Sequence, residues 1–242
     1  MPKILRMKDK SDNFTVKKDK IFNLSMRLIV CGPTGCGKTN ALASLLLLPE
    51  FYGNDFLGTN IYIFSPLIND FKMNEIIKLK KIPDINIFTE FDDNTLNLLY
   101  EKLTEEFKDK VEGKVKDPKK LHTLVLLDDL SFDGSLKNKN FGAVARLFMN
   151  GRKHQISTIL TTQYWNHILP ACRQNITGAI VYTNTEKSLD AMTDDLNMIG
   201  KPRLFKDLFR TVCKEKHDYM VVNFSNNRKE GIYMNSDFEK IA

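Results

Sequence analysis

The sequence has 242 residues, 42% hydrophobic and 10% aromatic, which is enough apolar material for a full core and excludes a generally disordered chain. Its 36 Lys and Arg against 30 Asp and Glu give a net charge of +6, which permits a polyanionic partner without requiring one. The longest apolar stretch, residues 41–48, is too short to span a bilayer, and the amino terminus lacks the apolar segment of a secretory signal. We therefore expect no membrane partner.

The first 24 residues are polar and dotted with lysine, and they predict a basic arm in front of one domain over residues 25–242. From Met26 onward, short apolar runs alternate with segments of helical spacing, which predicts an α/β domain with a mostly parallel central sheet flanked by helices. The predicted strands cover residues 26–31, 61–64, 85–88, 124–127, 156–161, 179–183 and 219–224. The predicted helices cover residues 39–48, a segment introduced by Asp92, residues 141–149 and residues 202–214.

The four cysteines show no disulfide framework, and they lack the second pair that a zinc site beside Cys213 and His217 would need. We predict that all four are reduced thiols, as is usual in a cytosol-like compartment. They are Cys31, Cys36, Cys172 and Cys213.

A phosphate-binding loop follows the first predicted strand and precedes the first predicted helix. It fits the pattern G-x-x-x-x-G-K-[ST] through residues Gly32, Pro33, Thr34, Gly35, Cys36, Gly37, Lys38 and Thr39. The glycines leave backbone N–H groups room to surround a triphosphate, and the following helix adds its own amino-terminal N–H groups. We expect Lys38 to reach the β- and γ-phosphates of the nucleotide and the Thr39 hydroxyl to ligate Mg²⁺.

Two carboxylates end the buried run at residues 123–127. Asp128 is the candidate for holding Mg²⁺, and Asp129 is the candidate for orienting or deprotonating the attacking water. The alternative for Asp129 is a residue that caps the following loop. Two carboxylates beside a nucleotide favour hydrolysis by water over transfer to a small acceptor.

Polar residues also flank the strand over residues 156–161. Gln163 follows it, where an amide could contact the γ-phosphate or the water. Arg152 precedes it, so we expect Arg152 at the edge of the sheet away from its own nucleotide, within easier reach of a neighbouring subunit's nucleotide. The alternatives are an ordinary strand-end glutamine and a surface arginine.

The stretches GPTGCGKT, LVLLDD, LFMNGRKHQISTILTTQ and CRQNIT together resemble the poxvirus-type genome-packaging ATPases, a viral branch of the FtsK–HerA superfamily of P-loop DNA translocases. The similarity runs from about Met26 to Thr183. It implies an ASCE-type, RecA-like ATPase core that uses ATP and Mg²⁺ and assembles into a ring of five or six subunits. It further implies movement of double-stranded DNA, without sequence preference, into a preformed capsid.

By matching position, the resemblance assigns Lys38, Thr39, Asp128, Asp129 and Gln163 the roles given above. It makes Arg152 the arginine finger that acts on a neighbouring subunit, with Arg173 as a second candidate. It also implies a capsid or portal protein as partner and the host-cell cytoplasm, at the site of virus assembly, as location, with the virion left open as a second location.

Two segments are candidate DNA contacts. Residues 131–140 form a polar loop after the carboxylates, with Lys137 and Lys139, placed where the pore of a ring could receive it. In the helix over residues 202–214, four cations fall within about 80° of one another on the helical wheel. They are Arg203, Lys206, Arg210 and Lys214. Such a row could follow a phosphate backbone without reading sequence, and the alternative is a solvated helix face.

Two other functions use the same nucleotide site. A small-molecule or nucleoside kinase would need a lid rich in arginine, and the charged segment over residues 108–120 is rich in lysine instead. An initiator or helicase-loader ATPase would bind DNA without moving it. The phosphate acceptor and the effect of DNA on turnover separate these functions.

Overall fold

The computed structural model describes residues 21–66, 68, 70–113, 122–130, 142–226 and 231–241. Helices and strands alternate through most of these residues, as the sequence predicts. The strands are β1 (Arg27–Cys31), β2 (Ile61–Phe64), β3 (Ile87–Phe88), β4 (Thr123–Leu127), β5 (Ile156–Thr162), β6 (Gly178–Tyr182), β7 (Tyr219–Asn223) and β8 (Tyr233–Met234). The helices are α1 (Lys38–Leu47), α2 (Phe71–Lys80), α3 (Asp93–Glu112), α4 (Gly142–Asn150), α5 (Pro170–Arg173), α6 (Glu186–Leu196) and α7 (Pro202–Val212).

Within the described residues the strands form one eight-stranded sheet in the order β3-β2-β4-β5-β1-β6-β7-β8. The six strands from β3 to β6 run parallel, whereas β7 and β8 are antiparallel to their neighbours. β5 therefore lies between the strand that precedes the phosphate loop and the strand that precedes the carboxylates. The prediction of a mostly parallel sheet flanked by helices is confirmed.

The sheet is covered on both faces, because alternate side chains of each central strand enter different apolar clusters. In β1, Ile29 and Cys31 join the cluster that includes side chains of α3, α4, α6 and α7. Leu28 and Val30 join the cluster that includes side chains of α1 and α2. A strand buried on both faces reads as a continuous apolar run, which is the pattern that the sequence shows here.

Two residues that precede β1, Phe22 and Leu24, pack into the core of the domain. Phe22 is fully buried beside Gly178, and its N–H donates to the Tyr52 hydroxyl at 2.7 Å. Leu24 is also buried. Residues 1–20 of the predicted arm lie outside the described residues.

The predicted strand over residues 85–88 is shorter in the structure. Asp84–Asn86 form a single turn of 3-10 helix after Pro83, and only Ile87–Phe88 pair with β2. The Asn86 side chain explains the turn, because its amide donates to the backbone carbonyls of Thr59 and Ile61 at 3.0 and 3.1 Å.

All four cysteines are buried free thiols, as predicted. Burial raises the thiol pKa of each, to about 12 for Cys172 and Cys213. Among the described helices, none is both long enough and apolar enough to cross a membrane.

Candidate active site

The predicted phosphate loop lies at the carboxyl edge of the sheet, between the end of β1 and the start of α1. Gly35 and Gly37 have φ angles of +76° and +117°, a region that L side chains rarely adopt. The Lys38 Nζ donates to the backbone carbonyls of Gly32 and Pro33 at 2.7 and 3.2 Å, so the ammonium group folds back over the loop.

Asp128 stands directly after β4 and is held by hydroxyl groups from both neighbouring strands. Its Oδ1 accepts from the Thr161 hydroxyl at 2.6 Å, and its Oδ2 accepts from the Ser65 hydroxyl at 3.0 Å. Burial raises the pKa of this carboxyl above its usual range, while the two hydroxyl donors and the charge of Lys38 oppose that shift. The charge of Asp129 adds to the increase.

Asp129, the next residue, is 8% exposed and has a φ of 47°, an uncommon conformation for a residue with a side chain. Its backbone N–H donates to the Thr161 hydroxyl at 2.9 Å, so one threonine contacts both aspartates. The Gln163 Nε2 donates to Oδ2 of Asp129 at 3.1 Å. The amide of Asn184 in turn donates to the Gln163 backbone carbonyl at 2.8 Å.

These groups converge because of the strand order. The carboxyl ends of β1 and β5 are in register at Cys31 and Thr162, and those of β4 and β5 are in register at Leu127 and Leu160. Gly32, Asp128 and Gln163 each follow one of these three adjacent strands. The sequence-predicted residues of the three motifs are therefore brought to one edge of the sheet.

A cleft of about 300 Å³ opens between the phosphate loop and the two aspartates. The predicted residues that line it are Thr34, Gly35, Gly37, Lys38, Thr39, Asp128 and Asp129. Oxygen ligands suit Mg²⁺, and the Thr39 hydroxyl and Asp128 carboxylate supply them in this cleft beside the loop that would hold the phosphates. Among the described residues, no group of three or more His, Cys, Asp or Glu side chains could hold a metal ion.

Several residues of this site were not among those predicted from the sequence. Ser65 and Thr161 donate to Asp128, and neither stands out in the sequence, because β5 carries three further hydroxyl residues at Ser157, Thr158 and Thr162. Asp70 lines the cleft and caps α2 by accepting from the backbone N–H groups of Lys72 and Met73 at 3.2 Å each. His217 also lines the cleft, although it stands 181 positions after its loop contact Cys36, and no local pattern indicates it.

Arg152 lies at the opposite edge of the sheet from the phosphate loop. It is exposed in the turn before β5. The pKa of Arg27, at the start of β1, is lowered mainly by burial of Arg27 and further by the positive charge of Arg152. The five residues of β1 span about 17 Å, so Arg152 and its own phosphate loop lie at opposite ends of that strand.

Arg173, the second finger candidate, takes part in a network within its own chain. Its side chain is 19% exposed and forms an ion pair with Asp195, and its Nε donates to the Ile168 carbonyl at 3.1 Å. The indole N–H of Trp165 donates to the same Asp195 carboxylate at 2.7 Å.

The candidate DNA contacts on α7 lie beside carboxylates of α6. Lys206 pairs with Asp190, and Arg210 pairs with Glu186 at 2.9 Å. Arg203 is 93% exposed and lies 3.9 Å from Asp207 of its own helix, and Lys214 is exposed beyond the end of the helix. The other two candidate contacts, Lys137 and Lys139, lie outside the described residues, as does the loop that carries them.

The sequence pattern of the family described as Poxvirus A32 protein matches residues 13–241. No individual curated protein matches the chain. Among solved structures, the genome packaging NTPase B204 from Sulfolobus turreted icosahedral virus 2 with AMPPCP has a TM-score of 0.56 and 13% identity, covering 89% of this chain and 98% of its own. The same protein with AMP has a TM-score of 0.59 and 12% identity, covering 90% and 98%.

A third similar structure, the pCW3 conjugation coupling protein TcpA with ATPγS, has a TM-score of 0.54 and 14% identity, covering 84% of this chain and 58% of its own. At these identities the structural likeness shows the P-loop ATPase fold. The family match covers most of the sequence, and it confirms the resemblance to the poxvirus-type packaging ATPases. The chain belongs to the poxvirus A32 protein family.

Proposed function

We propose that this chain hydrolyses ATP to drive double-stranded DNA into a preformed viral capsid. The observation that carries the proposal is the group formed by Asp128, Asp129, Thr161 and Gln163 beside the phosphate loop. It provides a carboxylate for a metal, a second carboxylate for water and an amide that contacts the second carboxylate. The similar protein B204 from Sulfolobus turreted icosahedral virus 2 is described as a genome packaging NTPase, which supports extending this chemistry to packaging.

The residues of the chain divide the work of hydrolysis. Backbone N–H groups of the loop and of the first turn of α1 bind the phosphates, and Lys38 exchanges the carbonyls of Gly32 and Pro33 for phosphate oxygens. Thr39 and Asp128 would hold Mg²⁺, which would supply neutralisation of the phosphate charge. Asp129 orients the attacking water and accepts its proton, while Gln163 fixes the position of Asp129.

Assembly completes the site in this proposal. Arg152 cannot serve its own nucleotide from the opposite edge of the sheet, and it is exposed for contact with a neighbouring subunit. A ring of five or six copies places that arginine at the next nucleotide, where it stabilises negative charge in the transition state. Such a ring works with a capsid or portal protein at the assembly site in the host-cell cytoplasm.

Release of inorganic phosphate by the purified chain, with and without linear double-stranded DNA, tests the proposal. We expect turnover to rise several-fold with DNA and to vanish in Lys38→Ala. Turnover that depends on Lys38 but does not change with DNA would support the nucleotide site and contradict the proposed DNA-translocating function. A phosphorylated small product in place of inorganic phosphate would identify a kinase.

A further inference from the structure

His217 contacts the phosphate loop from a distant part of the sequence. Its Nδ1 lies 2.9 Å from the backbone carbonyl oxygen of Cys36. A carbonyl oxygen only accepts, so Nδ1 carries the proton and donates. This contact joins the segment between α7 and β7 to the loop that receives the phosphates.

The hydrogen bond restrains a peptide group that the loop uses. The Cys36 carbonyl and the Gly37 N–H belong to one planar trans peptide and point in opposite directions. When His217 holds the carbonyl, the Gly37 N–H is directed away from the imidazole. Gly37 itself lines the nucleotide cleft, with the uncommon φ of +117° that any rotation of this peptide would change.

The segment that carries His217 is held in place by contacts of its own. The Asp218 side chain accepts from the Glu215 N–H at 2.8 Å, and the Asp218 N–H donates to the Glu215 carbonyl at 3.2 Å. The Thr183 hydroxyl, at the end of β6, donates to the Cys213 carbonyl at 3.0 Å. These hydrogen bonds fix the turn over residues 215–218 and join Cys213 to the residue after β6, so the position of the His217 imidazole beside the phosphate loop is restrained.

We propose that His217 is a positioning residue that orients the Cys36–Gly37 peptide for phosphate binding. The inference rests on the proposed function only in that the loop binds a nucleoside triphosphate. It assigns no chemical step to the imidazole, which acts through the backbone. Loss of the Nδ1 donor is thus expected to weaken nucleotide binding more than it slows turnover of bound nucleotide.

Three substitutions separate the donor from the bulk of the ring. His217→Phe keeps a ring and removes the donor, His217→Asn keeps an N–H at the δ position, and His217→Gln moves the N–H to the ε position. Titration calorimetry with AMPPCP and Mg²⁺, without DNA, gives the dissociation constant of each full-length variant. The midpoint of thermal unfolding checks that each variant is folded.

We expect His217→Phe and His217→Gln to bind AMPPCP roughly threefold to tenfold more weakly, the range for one lost hydrogen bond. His217→Asn should restore most of the affinity. In phosphate-release assays, the KM for ATP of His217→Phe and His217→Gln should rise while their kcat stays within about twofold of wild type. Unchanged affinity in His217→Phe, or Asn as weak as Phe, would overturn the inference. Because DNA is absent, neither result depends on the motor function.

Discussion

The Gln163 amide donates to Oδ2 of Asp129 at 3.1 Å, so the two candidate catalytic side chains contact each other. Each comes after a different strand, and those strands are neighbours in the sheet. The contact fixes the carboxylate that is proposed to accept the proton of water. An amide NH2 group has two N–H donors, so Gln163 can keep this hydrogen bond and donate its second N–H to a γ-phosphate or to the water.

Substitutions of this pair should lower turnover with little effect on nucleotide binding. Asp129→Asn removes the proton acceptor and should reduce kcat by about 100-fold or more. Gln163→Ala leaves the carboxylate in place without its amide donor, and we expect a decrease of roughly tenfold. The measurements are steady-state phosphate release and AMPPCP affinity for both variants.

Gln163→Glu is the informative control for that pair. It keeps the length of the side chain and places a second negative charge beside Asp129, which disfavours the ionised base. Turnover of Gln163→Glu should therefore be lower than that of Gln163→Ala at neutral pH. Equal activity of wild type and Gln163→Ala would show that the amide plays no part in hydrolysis.

The buried negative charge of Asp128 should lower the free energy of unfolding of the nucleotide-free protein at neutral pH. The pKa of Asp128 is raised by burial, so the folded chain binds this proton more tightly than the unfolded chain does. Its stabilising contribution is therefore present at low pH and is lost as pH rises through the folded pKa. Asp128→Asn removes the buried charge and should raise the unfolding midpoint at neutral pH by about 2–4 °C, for a gain of about 1 kcal/mol, while abolishing hydrolysis.

Thr161→Val provides the opposite change at the same carboxylate. It removes the hydroxyl that donates to Asp128 at 2.6 Å and should lower the midpoint in the same buffer without nucleotide or Mg²⁺. The difference in stability between Asp128→Asn and wild type should grow from acid to neutral pH. A difference that does not change with pH would mean that the Asp128 charge is not the source of the cost.

Local patterns were sufficient for the motifs and for most strands. The phosphate loop and the two aspartates each follow an apolar run, and Gln163 follows a run of Ile, Leu, Ser and Thr; runs that are apolar or rich in β-branched residues are typical of buried strands. Asp92 caps α3 through the Thr95 N–H at 2.8 Å, as the helix-start pattern predicts. These features depend on neighbours in the sequence.

Features that depend on distant residues could not be predicted in this way. The insertion of β5 between β1 and β4 is a matter of strand order, and no residue pattern specifies it. His217 reaches Cys36 across 181 positions, and Lys206 meets Asp190 on another helix. A helical wheel of α7 shows a row of cations and cannot show the carboxylates that α6 places against it.

A mixed-subunit experiment tests the proposed role of Arg152 in a neighbouring site. Arg152→Ala should lose most of its turnover, and so should Lys38→Ala. A mixture of the two should regain part of the activity, because an intact Lys38 site can then face an intact Arg152 from the next subunit. Phosphate release is measured over a series of mixing ratios.

Arg173→Ala is the control for the arginine assignment. Because Arg173 forms an ion pair with Asp195, whose side chain is 19% exposed, Arg173→Ala should have a lower unfolding midpoint than wild type. A mixture of Arg173→Ala and Lys38→Ala subunits should show no gain in turnover over the separate variants. A mixture of Arg152→Ala and Lys38→Ala that stays inactive at every ratio would contradict the action of Arg152 in trans. Recovery with Arg173→Ala instead would move the finger to that residue.

The α7 cations should differ in their contributions to DNA binding, because α6 neutralises two of them. Lys206 and Arg210 pair with carboxylates of α6, whereas Arg203 is 93% exposed and lies 3.9 Å from Asp207 of its own helix, an exposed contact that we expect to hold it weakly. Lys214 lies beyond the helix end. The double variant Arg203→Ala/Lys214→Ala should bind duplex DNA more weakly. It should also lower the slope of log K against log salt concentration by about 1.8, since each phosphate contact contributes roughly 0.9.

Lys206→Ala/Arg210→Ala is the matched control, with the same number of charges removed from the same helix. It should leave the salt slope close to that of wild type, because these cations already neutralise Glu186 and Asp190. Equal slopes for both double variants and wild type would remove α7 from the DNA path. Lys137 and Lys139, in residues 131–140, would then be the next pair to substitute. A cation that contacts a DNA phosphate must contribute to the slope of log K against log salt concentration, so the slope lost in that double variant would identify these lysines as DNA contacts.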